Sequence, residues 1–321
     1  MNHVNDLKAA FECRRPDNAV PIWEIEFHAW DKASGRHVVL GREFENLSSA
    51  GQERAMHVNA EIMISVSRDL CFAGLTVPNS YWDQSPGVLA YNVMPGETRF
   101  RQFEILKEIA GDELMLIAIT SGVMGANYSA EFCEKLFTAP DEIIALANKT
   151  LANGIENAKR YRDLGAGAVV TASDIADNSG PFFPPKQMAQ FILPYLRQWA
   201  EQVRAMGMYA ILHTDGNIMP CLDLIADSGI NALQAIDPTA GMDISAVKKR
   251  VGRRISLCGN IDCGMLVMGT PDTIYQATRK LLQECKADGG LVLGASNAVQ
   301  PVIPIENYRA IINAWKDHGQ Y

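Results

Sequence analysis

The sequence predicts a single-domain α/β protein of the (β/α)8 barrel class, spanning residues 1–321 with N-terminal helical decoration. Two observations carry this. About eight short apolar runs recur along the chain, and amphipathic stretches of helical length separate them. A third excludes the main rival: no GxGxxG follows the first run, as a doubly wound dinucleotide-binding sheet would require.

The runs are "VPIWEIEFH" (20–28), "LCFAGLTV" (70–77), "LMLIAIT" (114–120), "AVVTAS" (168–173), "YAILH" (209–213), "NALQAI" (231–236), "ISLCGN" (255–260) and "GLVLGAS" (290–296). Most are continuously apolar, as parallel strands covered on both faces are. Between them lie helical patterns over 49–70, 139–165, 184–207 and 270–290. The third begins with prolines, which suit a first helical turn. The fourth begins with a Thr cap and ends in glycines. The 49–70 helix and the 78–113 segment read as additions to the barrel.

Composition narrows the function classes. The chain has 321 residues, 48% of them hydrophobic, with 29 Lys and Arg against 37 Asp and Glu, a net charge of −8. The acidic balance argues against a nucleic-acid binder. No stretch reaches the roughly 20 apolar residues of a membrane helix, and the polar start "MNHVNDLKAAFECRRPD" lacks an apolar signal core. A cytoplasmic location is the expectation. Seven cysteines without a CxxC pair read as reduced thiols.

Active sites of such barrels lie where the strands end. The first run carries Glu24, Glu26 and His28, which strict alternation places on one face with Ile22, opposite Trp23, Ile25 and Phe27. Later runs end in Asp174 and Asp177, then His213 and Asp215, Asp237, Asn260 and Asp262, and Ser296 and Asn297. Each alone is an ordinary turn residue. Polar residues at the ends of most runs predict a pocket at one barrel mouth. The "HTDG" of 213–216 offers an imidazole and a carboxylate two residues apart, a pair that suits Zn²⁺ with an open position. Carboxylate-rich ligation also admits Mg²⁺ or Mn²⁺. Trp23, Trp30, Trp82, Met219 and Met242 fit core packing better than a pocket lining.

The segment "LHTDGNIMPCLDLIADSGINALQAIDPTAGMDISAVKKRVGRRISLCGNID", with "AGAVVTASDIADNSGPFFPPKQM" before it and "GLVLGASNAVQPVIPIENYRAIINA" after it, resembles the uroporphyrinogen decarboxylase superfamily. The resemblance runs from about residue 140 to the end and implies a TIM barrel. Decarboxylases of that superfamily carry an arginine-rich "RQAGR" segment after the first strand. Here the place reads "WEIEFHAWDKASG", whose Glu24 and Glu26 would repel a polycarboxylate.

The better resemblance is to the cobalamin-dependent methyltransferase branch, which includes methyltransferase components of O-demethylases. Several of its members bind zinc through His-x-Cys in the fifth strand and a later Cys. Here His213 stands with Asp215 in the first Cys position, and Ser296 falls near the second. An oxygen- and nitrogen-ligated metal suits an oxygen leaving group, as in ether demethylation. The resemblance thus implies a methyltransferase acting on a small methylated donor, with zinc held by His213, Asp215 and Glu26. His213, Asp174 and Asn260 would serve catalysis, and Tyr128, Ser296 and Asp237 would contact substrate. No Asp-x-His-x-x-Gly motif occurs, since "GRHVVLG" lacks the Asp. The corrinoid is therefore expected on a partner protein. Family members are often homodimers. Two alternatives stay open: a metal-free lyase decarboxylating a small acid with Asp174 and His213 in proton transfer, and a non-catalytic binding protein.

Overall fold

The structure is a computed structural model that describes residues 3–78, 80–82, 89–91, 94 and 96–321. Its centre is a curled, all-parallel sheet of seven strands. In chain order these are β1 (Gly74–Thr76), β2 (Met115–Thr120), β3 (Ala168–Ala172), β4 (Tyr209–Thr214), β5 (Ala232–Ala235), β6 (Ser256–Cys258) and β7 (Leu291–Val292). Each pairs with its sequence neighbour. The fold is α/β and TIM-barrel-like.

The first apolar run, 20–28, is not a regular strand. Ile22 instead makes parallel bridges to Phe72 before β1 and to Leu293 after β7, and so joins the two edges of the sheet. Three backbone bonds tie the join: Trp23 N to Leu293 O at 3.0 Å, Leu293 N to Pro21 O at 2.9 Å, and Ala73 N to Ile22 O at 2.8 Å. The chain bends at Ile25 and pairs again through Phe27 and Val299.

The helices that follow the staves are α1 (Ser49–Asp69), α2 (Thr98–Ala110), α3 (Pro140–Asp163), α4 (Leu193–Ala205), α5 (Leu222–Ala226), α6 (Ile244–Val251), α7 (Pro271–Cys285) and α8 (Ile305–His318). Helices α1 and α2 are crossovers between successive staves, so they belong to the barrel rather than decorating it. Added pieces among the described residues include the short helices His3–Phe11, Trp30–Ser34, Gly41–Glu45 and Ala130–Thr138 and, within the 78–113 segment, the antiparallel pair Ser80–Trp82 and Leu89–Tyr91. Caps define the starts. Ser48 accepts from Gly51 N ahead of α1, Asp243 from Ala246 N ahead of α6, and Thr270 forms a capping box with Thr273 ahead of α7.

Period-2 alternation sorts the strand residues into two cores. Met115, Ile117, Val170, Ile211, Cys258 and Val292 point into the barrel, where Trp23 and Phe11 join them. Leu116, Ala118, Val169, Ala210 and Leu212 point outward under the helices. The helix His3–Phe11 stops the barrel's lower end through Leu7, Ala10 and Phe11. Trp23 lies in the barrel interior, with Nε1 donating to Thr76 Oγ1 at 2.8 Å. Trp30 and Met242 pack in the outer core, with Met219 against it. The side chain of Trp82 lies outside the described residues. None of the seven cysteines forms a disulfide. Among the described residues no helix is long and apolar enough to cross a membrane.

Candidate active site

The strand ends surround a cavity of about 440 Å³. Its polar walls are Glu26, Asp174, His213, Asp215, Asp237 and Asp262, with Ser296 and Asn297. Ile25, Ile119, Ala172 and Ala298 supply the apolar part. No Lys or Arg belongs to the lining among the described residues.

His213 is the buried centre. It is the penultimate residue of β4, 7% exposed, and opposite Gln234 in the β4–β5 register. Its Nδ1 is hydrogen-bonded to Gln234 Oε1. Its Nε2 lies 3.8 Å from Asp174 Oδ1 and 3.9 Å from Asp215 Oδ1, beyond hydrogen-bonding distance of either. Chain direction explains the convergence. Asp174 follows the end of β3, Asp215 follows the end of β4, and those strands are hydrogen-bonded neighbours.

Both carboxylates are held. Asp174 Oδ1 accepts from Asp215 N at 2.9 Å, and Asp215 Oδ2 accepts from Asn297 Nδ2 at 2.5 Å. Burial pushes the Asp215 carboxyl up to about 6; Asp174 and Asp237 add to the rise, while His213 and Asn297 oppose it.

One ligand atom from each of Asp174, His213 and Asp215 can be chosen so that all lie within 4.8 Å of one another. A tetrahedral site with bonds of about 2.1 Å spaces its donors roughly 3.4 Å apart, so the three fit a divalent cation with small shifts. Glu26 lines the same cavity but lies outside this triplet, with Oε2 3.4 Å from His28 Nε2. The sequence offered Glu26 with His213 and Asp215; the geometry groups Asp174 with those two instead.

Several other residues have mixed placements. Asp237 lines the cavity, and its Oδ1 accepts from Thr239 N at 2.8 Å while its Oδ2 accepts from Gly216 N at 3.3 Å. Ser296 is buried at the wall, its Oγ 3.7 Å from Cys263 Sγ. Asn260 is not part of the lining; its Nδ2 donates to Ile236 O at 2.8 Å. Tyr128 is exposed, away from the lining, with its hydroxyl 3.4 Å from Asp177 Oδ2 and its ring against Phe182.

The shared face expected for Glu24 and Glu26 does not form, because the bend at Ile25 breaks the alternation. Glu26 opens onto the cavity, whereas Glu24 is buried outside the barrel, accepting from Tyr308 and Ala295 N. Two further residues of the site, Gln234 and Cys263, escape a reading of strand ends. Gln234 is a polar residue inside the apolar run "NALQAI", and a buried amide must find partners. Cys263 lines the cavity, and burial raises its thiol to about 11.

Fold and site together define a TIM-barrel-like α/β protein with an acidic, imidazole-centred pocket at its strand ends. The family described as uroporphyrinogen decarboxylase (URO-D) matches residues 104–318. The chain belongs to that family. It is 31% identical over 187 residues to uroporphyrinogen decarboxylase of Coxiella burnetii (strain RSA 493 / Nine Mile phase I), covering 56% of this chain and 48% of that protein. It is 29% identical over 129 residues to the methylated-thiol--coenzyme M methyltransferase of Methanosarcina mazei, covering 40% of this chain and 32% of that one. The chain thus spans about half the length of the curated relatives it matches first. A solved methyltransferase from Methanosarcina mazei superposes with a TM-score of 0.72 over 98% of both chains at 18% identity, a likeness of fold.

Proposed function

We propose that this chain is a methyltransferase. It takes a methyl group from a small, uncharged methylated donor, with an aryl methyl ether as first candidate. It passes the group to a corrinoid carried by a separate protein, assisted by a divalent metal such as zinc. One observation carries the reading. A buried imidazole nitrogen faces two carboxylate oxygens at 3.8 and 3.9 Å in a cavity whose described walls hold no Lys or Arg. The methyltransferase named among the relatives supports the reaction class.

His213, Asp174 and Asp215 would hold the metal, which supplies Lewis acidity toward the donor's departing oxygen. The chain's own residues do the rest. Asn297 fixes one oxygen of Asp215 and leaves the other facing His213. The Asp215 amide fixes Asp174. Ile25, Ile119, Ala172 and Ala298 offer an apolar wall on which a methylated aromatic ring can rest. Glu26, Asp237 and Asp262 keep the cavity electronegative and disfavour an anionic substrate such as a polycarboxylated tetrapyrrole.

The second reading, a metal-free decarboxylase of a small acid, draws on the decarboxylases among the relatives. A panel of methoxylated aromatics and small carboxylic acids, incubated with reduced corrinoid and zinc, separates the two. Metal-dependent loss of the Co(I) absorbance with release of the demethylated alcohol or phenol is expected. Release of CO₂ without metal, and no demethylation, would replace the methyltransferase with the lyase.

A further inference from the structure

We infer that Gln234 is a positioning residue that fixes the tautomer of His213, with the proton on Nδ1 and the lone pair of Nε2 presented to the cavity. The inference rests on the metal-binding reading above and adds a residue to it.

Gln234 lies in β5, 2% exposed, directly across from His213 in the parallel register. Its Nε2 reaches two main-chain carbonyls, Ala295 O and Ser296 O, each at 3.3 Å. Carbonyl oxygens only accept, so the amide nitrogen must be the atom that faces them. This fixes the orientation of the side chain by its chemistry. The other end is then Oε1, which also only accepts, and it faces His213 Nδ1. A hydrogen bond there requires the proton on Nδ1. In the neutral ring Nε2 must therefore carry the lone pair.

The consequence appears on the other side of the ring. Nε2 faces Asp174 Oδ1 and Asp215 Oδ1. A lone pair and two carboxylate oxygens repel one another and are reconciled by a cation between them. Had Gln234 been a donor to Nδ1, the ring would have carried its proton on Nε2 and closed the site to a metal. The loop 295–296 thus controls, through one buried amide, whether the imidazole is a ligand. The loop leads into Asn297, which holds Asp215, so one segment sets both a nitrogen and an oxygen donor.

The test reads the tautomer in metal-free protein and metal affinity separately. Long-range ¹H–¹⁵N spectra of ¹⁵N-histidine-labelled protein, with the His213 signals assigned by their loss in His213→Ala, should show neutral His213 protonated on Nδ1. Gln234→Met removes both polar ends at similar volume. It should leave a mixture of tautomers and weaken zinc binding about 10- to 100-fold. Gln234→Glu keeps an acceptor at Nδ1 and should retain the Nδ1–H form. Wild-type His213 protonated on Nε2 would overturn the inference, as would unchanged tautomer and affinity in a folded Gln234→Met protein. If Gln234→Met does not fold, the wild-type spectrum and Gln234→Glu decide. If the wild type binds no metal while His213 carries its proton on Nδ1, the metal reading fails and the positioning role stands.

Discussion

Tyr308 donates its hydroxyl to Glu24 Oε1 at 2.7 Å, sealed between the first barrel segment and α8. Burial raises the Glu24 carboxyl to about 8, although the Tyr308 and Ala295 hydrogen bonds pull the other way. The folded state therefore holds a proton that the unfolded state releases near the ordinary carboxylate range. The stability contribution is full below that range and is lost as pH rises toward about 8, with a slope approaching 1.4 kcal/mol per pH unit. Urea unfolding from pH 5 to pH 8 should show this fall in the wild type, and a flatter profile in Glu24→Gln. Parallel profiles would assign the slope to other groups.

Gly216 has φ +87, and a Cβ there would lie 2.6 Å from the Ala176 carbonyl carbon. Both backbone strain and a main-chain clash oppose any side chain. Gly216→Ala should cost about 2–3 kcal/mol of stability. It should also weaken zinc binding, because it displaces the neighbouring Asp215. Thermal unfolding and a zinc titration on the same samples check both effects.

The donor set can be retuned. Asp215→Cys replaces a hard oxygen with a thiolate and should shift preference toward Cd²⁺ and away from Mn²⁺. Competition dialysis with the paired metals gives the ratio. An unchanged ratio would place Asp215 outside the coordination sphere.

Charge at the cavity predicts donor choice. Glu26, Asp237 and Asp262 remain as carboxylates beyond the proposed metal ligands, with no cationic wall residue among those described. A methoxylated benzene bearing a carboxylate should show a raised KM relative to its neutral carboxamide. The gap should narrow at high ionic strength to the extent that the cavity is open to solvent.

Much of this architecture was readable from the run pattern. Seven of the eight apolar runs form the parallel strands of the sheet, because strands buried on both faces leave an unbroken apolar signature, and the first run bridges the two edges through Ile22. The first run misled in detail. Strict alternation paired Glu24 with Glu26, and a bend at Ile25 sends them to opposite sides of the wall. Asp174, His213 and Asp215 were visible as polar punctuation after adjacent runs, but which carboxylates approach His213 depends on strand neighbourhood. Asn260 and Tyr128 looked like site residues for the same reason, yet one holds the Ile236 carbonyl and the other lies exposed outside the cavity. Gln234 was hidden by its place in an apolar run, where its role depends on carbonyls 61 and 62 residues away in sequence.

His213, Asp174 and Asp215 are proposed to hold a divalent metal. Zinc binding to the apo protein, measured by calorimetry beside His213→Ala, tests it most directly. Stoichiometric binding is expected in the wild type, with loss in the variant. A zinc-induced stabilisation of about 2.7 kcal/mol at a hundredfold excess over Kd is expected in the wild type and absent in the variant. Equal binding by both proteins, or none by a folded wild type, would contradict it.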